Sequence, residues 1–267
     1  MVGTDEGPHQ QNKNDNKMNI EERFHLRGKV AVVVGGAGYL CSTLSGAFLE
    51  SGMKVVILDM AKEPPADLSG KALYLNANAI SKQGLIEARE TILKTFGKVD
   101  VLLNGATVNA PTPFLEITEE EMDRILAANV KAVFFACQVF GEAMVKQKSG
   151  SIINFASASS GPPLSKAFTY SVAKAGVANI TQNLAREWAP YNVRVNALRP
   201  GFFPTEWSKK HFIDEKRKVD ILRHTPMGRF GEPEELIGAT LWLASDAASF
   251  VTGSIIAVDG GFTAMTI

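Results

Sequence analysis

The sequence predicts an α/β protein with one doubly wound parallel sheet of about seven strands and helices on both faces. Short apolar runs rich in β-branched residues recur along the chain, as expected of strands buried on both faces. Longer segments with helix-start residues such as Ser81 and Thr118 separate these runs. The length of 267 residues and the 45% hydrophobic content suit a single large core. Ligands of such sheets bind at the carboxyl ends of the strands.

The predicted elements alternate in chain order. Strands are expected at 29–34, 54–58, 71–75, 99–103, 151–155, 193–197 and 254–258. Helices are expected at 40–51, 81–96, from 119 onward, at 130–146, from about 170 to 190, and from 232 onward. Residues 202–224 look irregular with a helical centre and are expected to form a substrate lid. Residues 1–22 are polar and are expected to be a disordered extension, which leaves 23–267 as the folded domain.

Composition argues against several functional classes. The 28 basic and 28 acidic residues give no net charge, and no basic stripe stands out, so neither nucleic acid nor an anionic membrane is expected as a partner. No apolar run in the sequence approaches a membrane span. Neither the four histidines nor Cys41 and Cys137 have metal-ligand spacing, so no metal is predicted. Two cysteines in apolar segments fit a reduced, cytoplasmic setting.

The central chemical signal is Tyr170 with Lys174. A spacing of four places both side chains on one face of a helix. The ammonium should favour the phenolate and lower the pKa of Tyr170, which would make it a tunable acid/base. Ser157 ends the preceding strand, where its hydroxyl is placed to bond a substrate oxygen. A bare Tyr-x-x-x-Lys pair is common on exposed helices, so its meaning comes from this context.

A glycine-rich turn follows the first predicted strand. Gly35, Gly36 and Gly38 let the backbone approach a pyrophosphate, which the N-terminus of the next helix attracts, although a plain tight turn is the alternative. Asp59 ends the second strand, where a carboxylate accepts hydrogen bonds from ribose hydroxyls and repels a 2′-phosphate. The nearest cation is Lys62. The pattern therefore favours NAD over NADP.

These residues together resemble the short-chain dehydrogenase/reductase family, and the resemblance runs from about Leu26 to the C-terminus. It implies a Rossmann fold and hydride transfer between a nicotinamide and a secondary alcohol or ketone. It also implies a catalytic set of Asn129, Ser157, Tyr170 and Lys174. In that set, Tyr170 carries the proton, Lys174 lowers its pKa and bonds the nicotinamide ribose, Ser157 holds the substrate oxygen, and Asn129 supports a water in the proton relay.

The glycine loop departs from the family pattern T-G-x-x-x-G-x-G. Val34, Tyr39 and Cys41 stand at the threonine and at the last two glycines. A non-catalytic dinucleotide-binding protein is therefore an alternative to an enzyme. By resemblance, the expected cofactor contacts are Gly35, Gly36, Gly38, Tyr39, Leu40, Asp59, Asn78, Ala79, Asn104, Gly105, Ala106, Tyr170, Lys174, Pro200, Gly201, Phe203 and Thr205.

The C-terminal third looks like the sugar-acid branch of the family, with D-mannonate oxidoreductases (fructuronate reductases) nearest and gluconate 5-dehydrogenases close by. The expected substrate residues are Asn109, Ser159, Lys166 and Trp207, and Lys166 is the candidate anchor for a carboxylate. Another alcohol or ketone, such as a polyol, a steroid or a 3-oxoacyl group, is the alternative substrate. The resemblance also suggests a homo-oligomer, a tetramer or a dimer, built partly on the helices at 130–146 and 170–190.

Overall fold

The computed structural model describes residues 19–265. Within this range the strands are β1 Val30–Val34, β2 Lys54–Asp59, β3 Leu73–Asn76, β4 Val101–Asn104, β5 Gly150–Phe155, β6 Val193–Pro200 and β7 Ile255–Val258. They form one sheet in the order β3-β2-β1-β4-β5-β6-β7, and every neighbouring pair is parallel. The doubly wound sheet predicted from the sequence is confirmed. The chain crosses from β3 over to β4 beside β1, so the strand order reverses there and opens a crevice.

The α-helices in this range are α1 Ile20–Arg23, α2 Tyr39–Glu50, α3 Lys82–Phe96, α4 Glu119–Leu126, α5 Ala132–Gln147, α6 Phe168–Trp188, α7 Glu206–Phe212, α8 Glu215–His224 and α9 Ile237–Ala244. Ser81 caps α3 by accepting a hydrogen bond from the Gly84 amide, as its sequence position predicts. Of the predicted N-terminal extension, residues 1–18 lie outside the described range. Residues 20–22 belong to α1, a single turn that Asn19 caps.

The sheet separates two apolar layers. All five residues of β1 are buried, as expected of a central parallel strand covered on both faces. One layer contains Leu85 and Ile92 of α3 and Phe140 of α5, whereas the other contains Leu44 and Phe48 of α2. Side chains alternate along each strand, so both layers draw on every central strand. This packing fixes the carboxyl ends of the strands as a rigid edge.

The helix that follows β4 differs from the sequence prediction. The sequence suggests two helices, but α4 and α5 are joined without a break by a π-helical segment, Ala127–Lys131. The combined helix, Glu119–Gln147, is long and apolar enough to cross a membrane by length and composition alone, so the sequence-based statement on membrane spans was too strong. About half of its apolar window is buried inside the domain, as for a core helix.

Residues 202–224 contain two helices rather than one helical centre. Thr205 caps α7 by accepting from the Ser208 amide, and Asp214 caps α8 by accepting from the Arg217 amide. Two contacts join α8 to the loop before α6, namely the Lys166–Asp214 ion pair at 3.0 Å and a hydrogen bond from Arg217 to the Ser165 carbonyl at 2.7 Å. The predicted lid segment therefore covers the loop that leads into the helix of Tyr170.

Candidate active site

Three cavities lie next to one another along the carboxyl edge of the sheet. The first, of about 450 Å³, is lined by Gly35 and Asp59, and the second, of about 320 Å³, by Lys174. Gly38, Gly105 and Thr107 line both of these cavities. The third, of about 530 Å³, lies under the lid, and it shares Ser157 and Tyr170 with the second. The edge thus offers one elongated groove with Ser157 and Tyr170 at the boundary of its last two compartments.

The glycine turn after β1 is built for close backbone approach. Gly35 has φ +74°, and a Cβ there would lie 2.6 Å from the Cα of Ala106. A side chain is excluded both by this conformation and by the neighbouring loop. Gly36 lines none of the three cavities, and a Cβ there would come within 2.9 Å of Ile57, so Gly36 is a packing position. Gly38 is the N-cap of α2, and Tyr39 begins that helix with its side chain about half exposed.

Two departures from the family pattern compensate for each other. Cys41 stands at the third glycine of the loop, and Gly105 stands where the family has an asparagine. A Cβ at position 105 would collide with the sulfur of Cys41, which is buried. The thiol thus fills the space that the usual side chain at position 105 would need. Burial raises the pKa of the Cys41 thiol to about 12, so this sulfur is a space-filling group and not a nucleophile.

Asp59 connects β2 with the glycine turn. Its carboxylate accepts hydrogen bonds from the amides of Ala37 and Ala61, both at 3.0 Å. Asp59, Asn78 and Ala79 line the first cavity, as expected for residues that contact an adenosine. No lysine or arginine is found among the described residues that line this cavity.

The structure places most of the other expected cofactor residues at the groove. Those that line the first or second cavity are Leu40, Gly105, Ala106, Pro200, Gly201, Phe203 and Thr205. Asn104 is an exception, because its side chain is buried between β4 and β5 and lines none of the three cavities. Its amide donates to Asn154 at 2.9 Å, and Asn154 donates to Thr181 at 2.9 Å. The structure therefore does not bring the Asn104 side chain to the groove, and this side chain stabilises the interior instead.

Ser157 is held by the serine two residues later. Its oxygen accepts hydrogen bonds from the amide of Ser159 at 3.2 Å and from the hydroxyl of Ser159 at 3.1 Å. These two bonds occupy the acceptor positions of the Ser157 hydroxyl. Its own proton is left for donation, either to the phenol oxygen of Tyr170 or to a substrate oxygen in the cavity. Ser159, expected to touch substrate, is buried and orients Ser157.

Tyr170 and Lys174 lie together as their spacing predicts, with the ammonium 5.5 Å from the centre of the phenol ring. Lys174 donates to the carbonyl of Phe155 at 2.8 Å, and burial lowers the pKa of Lys174 to about 8, so it is still mainly charged at pH 7. The pKa of Tyr170 is not lowered as expected. Burial of the phenol raises the pKa of Tyr170, and this effect outweighs the hydrogen bond with Ser157, which opposes it.

Thr107 is a further hydrogen-bond partner of Tyr170. A hydrogen bond donated by Thr107 would lower the pKa of Tyr170, but the hydroxyl proton of Thr107 goes to the Oδ1 of Asn129 at 2.6 Å. Asn129 uses its two amide protons for the carbonyls of Val108 and Ile125, each at 2.8 Å, so its oxygen can only accept. A hydrogen bond between the two hydroxyls would then run from Tyr170 to Thr107 and favour the protonated phenol. Asn129 thus sets the direction of this hydrogen bond.

The substrate-side predictions have mixed outcomes. Asn109 and Ser159 line the third cavity. Lys166 lines none of the three cavities, and its ammonium is paired with Asp214 on the outside of the lid, so the structure does not bring it to the substrate. The side chain of Trp207 lies outside the described part of the structure. The third cavity is also less polar than expected, because the following residues contribute an apolar side: Leu164, Phe202, Phe203, Phe212 and Ile213.

Sequence reasoning missed two cations of the third cavity. Arg124 comes from the last turn of α4, and Arg217 comes from α8. Neither residue is part of a local motif, because elements far apart in sequence bring them together. Among the described residues, no group of three or more histidines, cysteines or acids is placed to hold a metal ion.

A doubly wound sheet, a glycine turn beside a strand-end aspartate, and a Tyr–Lys–Ser cluster between two cavities define a nicotinamide-dependent oxidoreductase. A family model described as enoyl-(acyl carrier protein) reductase matches residues 40–263. The chain belongs to the short-chain dehydrogenase/reductase family.

Characterised and uncharacterised relatives match over nearly the full chain. An uncharacterised oxidoreductase, UxuB, of Bacillus subtilis is 38% identical and covers 90% of this chain and 96% of its own. An NAD-dependent glycerol dehydrogenase of Listeria innocua is 36% identical, with 91% and 97% covered. A 2-dehydro-3-deoxy-D-gluconate 5-dehydrogenase of Escherichia coli is 34% identical, with 92% and 99% covered.

Solved structures agree with the fold. A gluconate 5-dehydrogenase from Burkholderia cenocepacia, in complex with NADP and tartrate, has a TM-score of 0.87 at 28% identity and covers 92% of this chain and 99% of its own. A protein assigned as a D-mannonate oxidoreductase from Haemophilus influenza, with bound NAD, has a TM-score of 0.84 at 30% identity, with 93% and 99% covered. The two differ in their bound dinucleotide.

Proposed function

We propose that this protein is an NAD-preferring dehydrogenase that interconverts a secondary alcohol and a ketone in a sugar acid. The observation that carries the proposal is the position of Ser157 and Tyr170, whose side chains line both the cofactor-side cavity and the cavity under the lid. A reacting carbon at this boundary lies within reach of both an acid/base and a nicotinamide. A non-catalytic dinucleotide-binding protein would have no use for this arrangement.

The residues divide the chemistry among them. When bound, the nicotinamide supplies the hydride acceptor or donor. Ser157 donates its proton to the oxygen of the substrate in place of the phenol oxygen, and Tyr170 gives a proton to that oxygen in reduction or removes it in oxidation. Lys174 donates one of its three ammonium protons to the carbonyl of Phe155, which leaves two protons that can be donated to a ribose hydroxyl. Asn129 and Thr107 orient the phenol.

The groove fits a dinucleotide, and its charge favours NAD. Gly35 removes the side chain where the backbone must approach a pyrophosphate, and α2 begins immediately after the turn. The carboxylate of Asp59 lines the first cavity and would repel a 2′-phosphate, and the adjacent Met60 offers no positive charge. The NAD-dependent glycerol dehydrogenase and the NAD-bound neighbour support this preference, whereas the NADP-bound neighbour makes it a matter for measurement.

Sugar acids are the substrate class that the relatives favour. Enzymes of 2-dehydro-3-deoxy-D-gluconate, gluconate and D-mannonate all match over more than nine-tenths of this chain. The glycerol dehydrogenase favours a second candidate, a neutral polyol. A polyol shares the secondary alcohol but lacks the carboxylate, so the two candidates differ in whether the cavity under the lid must hold a negative charge.

The exposed surface supports a homo-oligomer. Phe134 on α5 and both Phe168 and Val172 on α6 are about half exposed, which leaves apolar area uncovered on these two helices. We infer a tetramer or dimer built partly on this face, and sedimentation velocity of the purified protein measures its mass directly. Both cysteines are free and buried, which supports a reduced, cytoplasmic setting. We infer that the Rossmann domain includes α1 from Ile20, three residues earlier than the sequence suggests, and that 202–224 form its lid.

A substrate panel tests the function. Initial rates with NAD and with NADP would be measured on D-mannonate, D-gluconate, the matching neutral polyols, a steroid alcohol and a 3-hydroxyacyl thioester. We expect the highest kcat/KM for a sugar acid with NAD. Turnover of the steroid or acyl substrate alone would refute the substrate class, and turnover of none, with dinucleotide bound, would support the non-catalytic alternative.

A further inference from the structure

The charged side chains in the described lining of the cavity under the lid are all positive. Its described lining includes two cationic side chains, Arg124 and Arg217, and no aspartate or glutamate. Much of the remaining lining is apolar, so water would screen a charge there less than on the open surface. A cavity of this kind attracts an anionic group and holds it in a fixed place.

Arg217 lines this cavity and has a buried donor without a hydrogen-bond partner. One of its terminal nitrogens donates to the Ser165 carbonyl at 2.7 Å, which fixes the guanidinium in position. The other, Nη1, is buried and has no hydrogen-bond partner. A buried N–H of a cation without an acceptor is costly, so such a group usually meets an acceptor in the functional state. Burial also lowers the pKa of Arg217, and the nearby carboxylate of Asp214 opposes this effect.

Asp214 does not neutralise this cation by direct contact. One of its oxygens accepts from the backbone amide of Arg217 at 2.8 Å, and the other pairs with the ammonium of Lys166 at 3.0 Å. Lys166, the anchor expected from the sequence, is thus engaged in fastening the lid. Arg217 remains a partly buried cation in the lining of the cavity.

Arg124 supplies a second positive charge from α4. Its side chain is exposed and lines the same cavity, and within residues 19–265 its guanidinium takes part in no ion pair or hydrogen bond. Arg124 belongs to the core helix and Arg217 to the lid, and both line this cavity. An anion that contacts both would therefore also hold the lid in place.

We propose that Arg217, assisted by Arg124, binds the carboxylate of the substrate and so selects acids over neutral polyols. This inference rests on the proposed function for the identity of the acid, but the anion site itself does not. The planar guanidinium fork matches a carboxylate with two parallel hydrogen bonds. The secondary alcohol of the same molecule then lies toward Ser157 and Tyr170, which line the same cavity.

The test compares acid and polyol on four variants. Arg217→Gln, Arg217→Lys, Arg124→Gln and the control Arg223→Gln would be assayed for kcat/KM on D-gluconate and D-sorbitol with saturating NAD. Arg223 is exposed in the last turn of the same helix and does not line the cavity, so it matches Arg217 in residue type and helix. Melting temperature and NAD affinity of each variant identify any loss of fold.

We expect Arg217→Gln to lower kcat/KM for D-gluconate by about 10- to 100-fold, mainly through KM, and to affect D-sorbitol much less. Arg217→Lys keeps the charge but loses the fork, so its loss is intermediate, and it serves if the glutamine variant is unstable. Arg124→Gln gives a smaller loss, and Arg223→Gln gives none. Equal losses on acid and polyol, or an equal effect of Arg223→Gln, would overturn the proposal.

Inhibition by tartrate separates this inference from the proposed function. If the wild type oxidises only the polyol, the proposed sugar-acid function fails. Competitive inhibition of that reaction by tartrate, weakened about 10-fold or more by Arg217→Gln, would still support the carboxylate site. A wild type that tartrate does not inhibit, or inhibition unchanged in Arg217→Gln, would overturn the site as well.

Discussion

Replacing Thr107 by valine tests how the phenol of Tyr170 is controlled. Valine keeps the branched shape of threonine and removes the hydroxyl that stands between Tyr170 and Asn129. Because Asn129 takes the proton of that hydroxyl, Thr107 can accept a hydrogen bond only from a protonated Tyr170. The substitution removes stabilisation from the protonated form alone. We therefore expect the pKa of Tyr170 to fall.

The size of the shift follows from the worth of one neutral hydrogen bond, about 0.5–1.5 kcal/mol net. Thr107 is exposed to the cavity, where water competes, so the lower part of the range, about 0.5–1 kcal/mol, applies. At about 1.4 kcal/mol per factor of ten, the fraction of phenolate below the pKa rises about two- to five-fold. Oxidation of the alcohol requires the phenolate, so the rate on the acidic limb of its pH profile rises by the same factor and the limb moves to lower pH.

The pH dependence of kcat/KM for alcohol oxidation would be compared in the wild type, Thr107→Val and Thr107→Ser. The serine variant keeps a hydroxyl and should retain the profile of the wild type. An ultraviolet difference titration, with the signal of Tyr170→Phe subtracted, measures the same pKa without turnover. A shift to higher pH in Thr107→Val would mean that Thr107 donates to the phenolate, and no shift would mean that it does not bond Tyr170. Either result refutes the reasoning.

Three further changes have defined outcomes. Tyr170→Phe should lower turnover by about 10²-fold or more with NAD affinity retained, and wild-type turnover would exclude it as the proton carrier. Asp59→Ser with Met60→Arg should raise the ratio of kcat/KM for NADP to that for NAD, because repulsion is replaced by a phosphate partner; a wild type that already prefers NADP would contradict this reading. Gly105→Asn should destabilise the protein, measured as a drop in Tm, and Cys41→Gly added to it should restore part of that loss because it vacates the space.

The fold could be predicted because its signals are local. The β-branched run of β1 and the serine cap of α3 each act within a few residues. Tyr170 and Lys174 are one helical turn apart, so their spacing alone placed them together. In most strands the observed boundaries differ from the predicted ones by one or two residues, as expected because the ends of secondary-structure elements fray.

The detailed arrangement of the active site depends on contacts between segments that are far apart in sequence. The spacing of residues along the chain does not reveal these contacts. Asn104 follows the family pattern, yet its side chain turns inward because Asn154 on the neighbouring strand offers a buried partner. Lys166 is positive and lies close in sequence to Tyr170, yet its ammonium forms an ion pair with Asp214. Arg217 looks like any surface arginine of an amphipathic helix until the lid is folded over the groove.

The π-helical segment around Asn129 has a consequence for how the gene can vary. A π turn holds one residue more than an α turn, so the extra residue is taken up within Ala127–Lys131 and the helix after it keeps its rotational phase. Deleting one residue there would restore regular α winding, and Phe140 and Met144, both fully buried, would stay in the core. Asn129 itself donates to the carbonyl of Ile125, four residues back, which is the place that a backbone N–H takes in an α-helix. A single deletion within 127–131 should therefore still give a folded protein but lower its turnover, because the deletion removes or displaces Asn129 and its contact with Thr107.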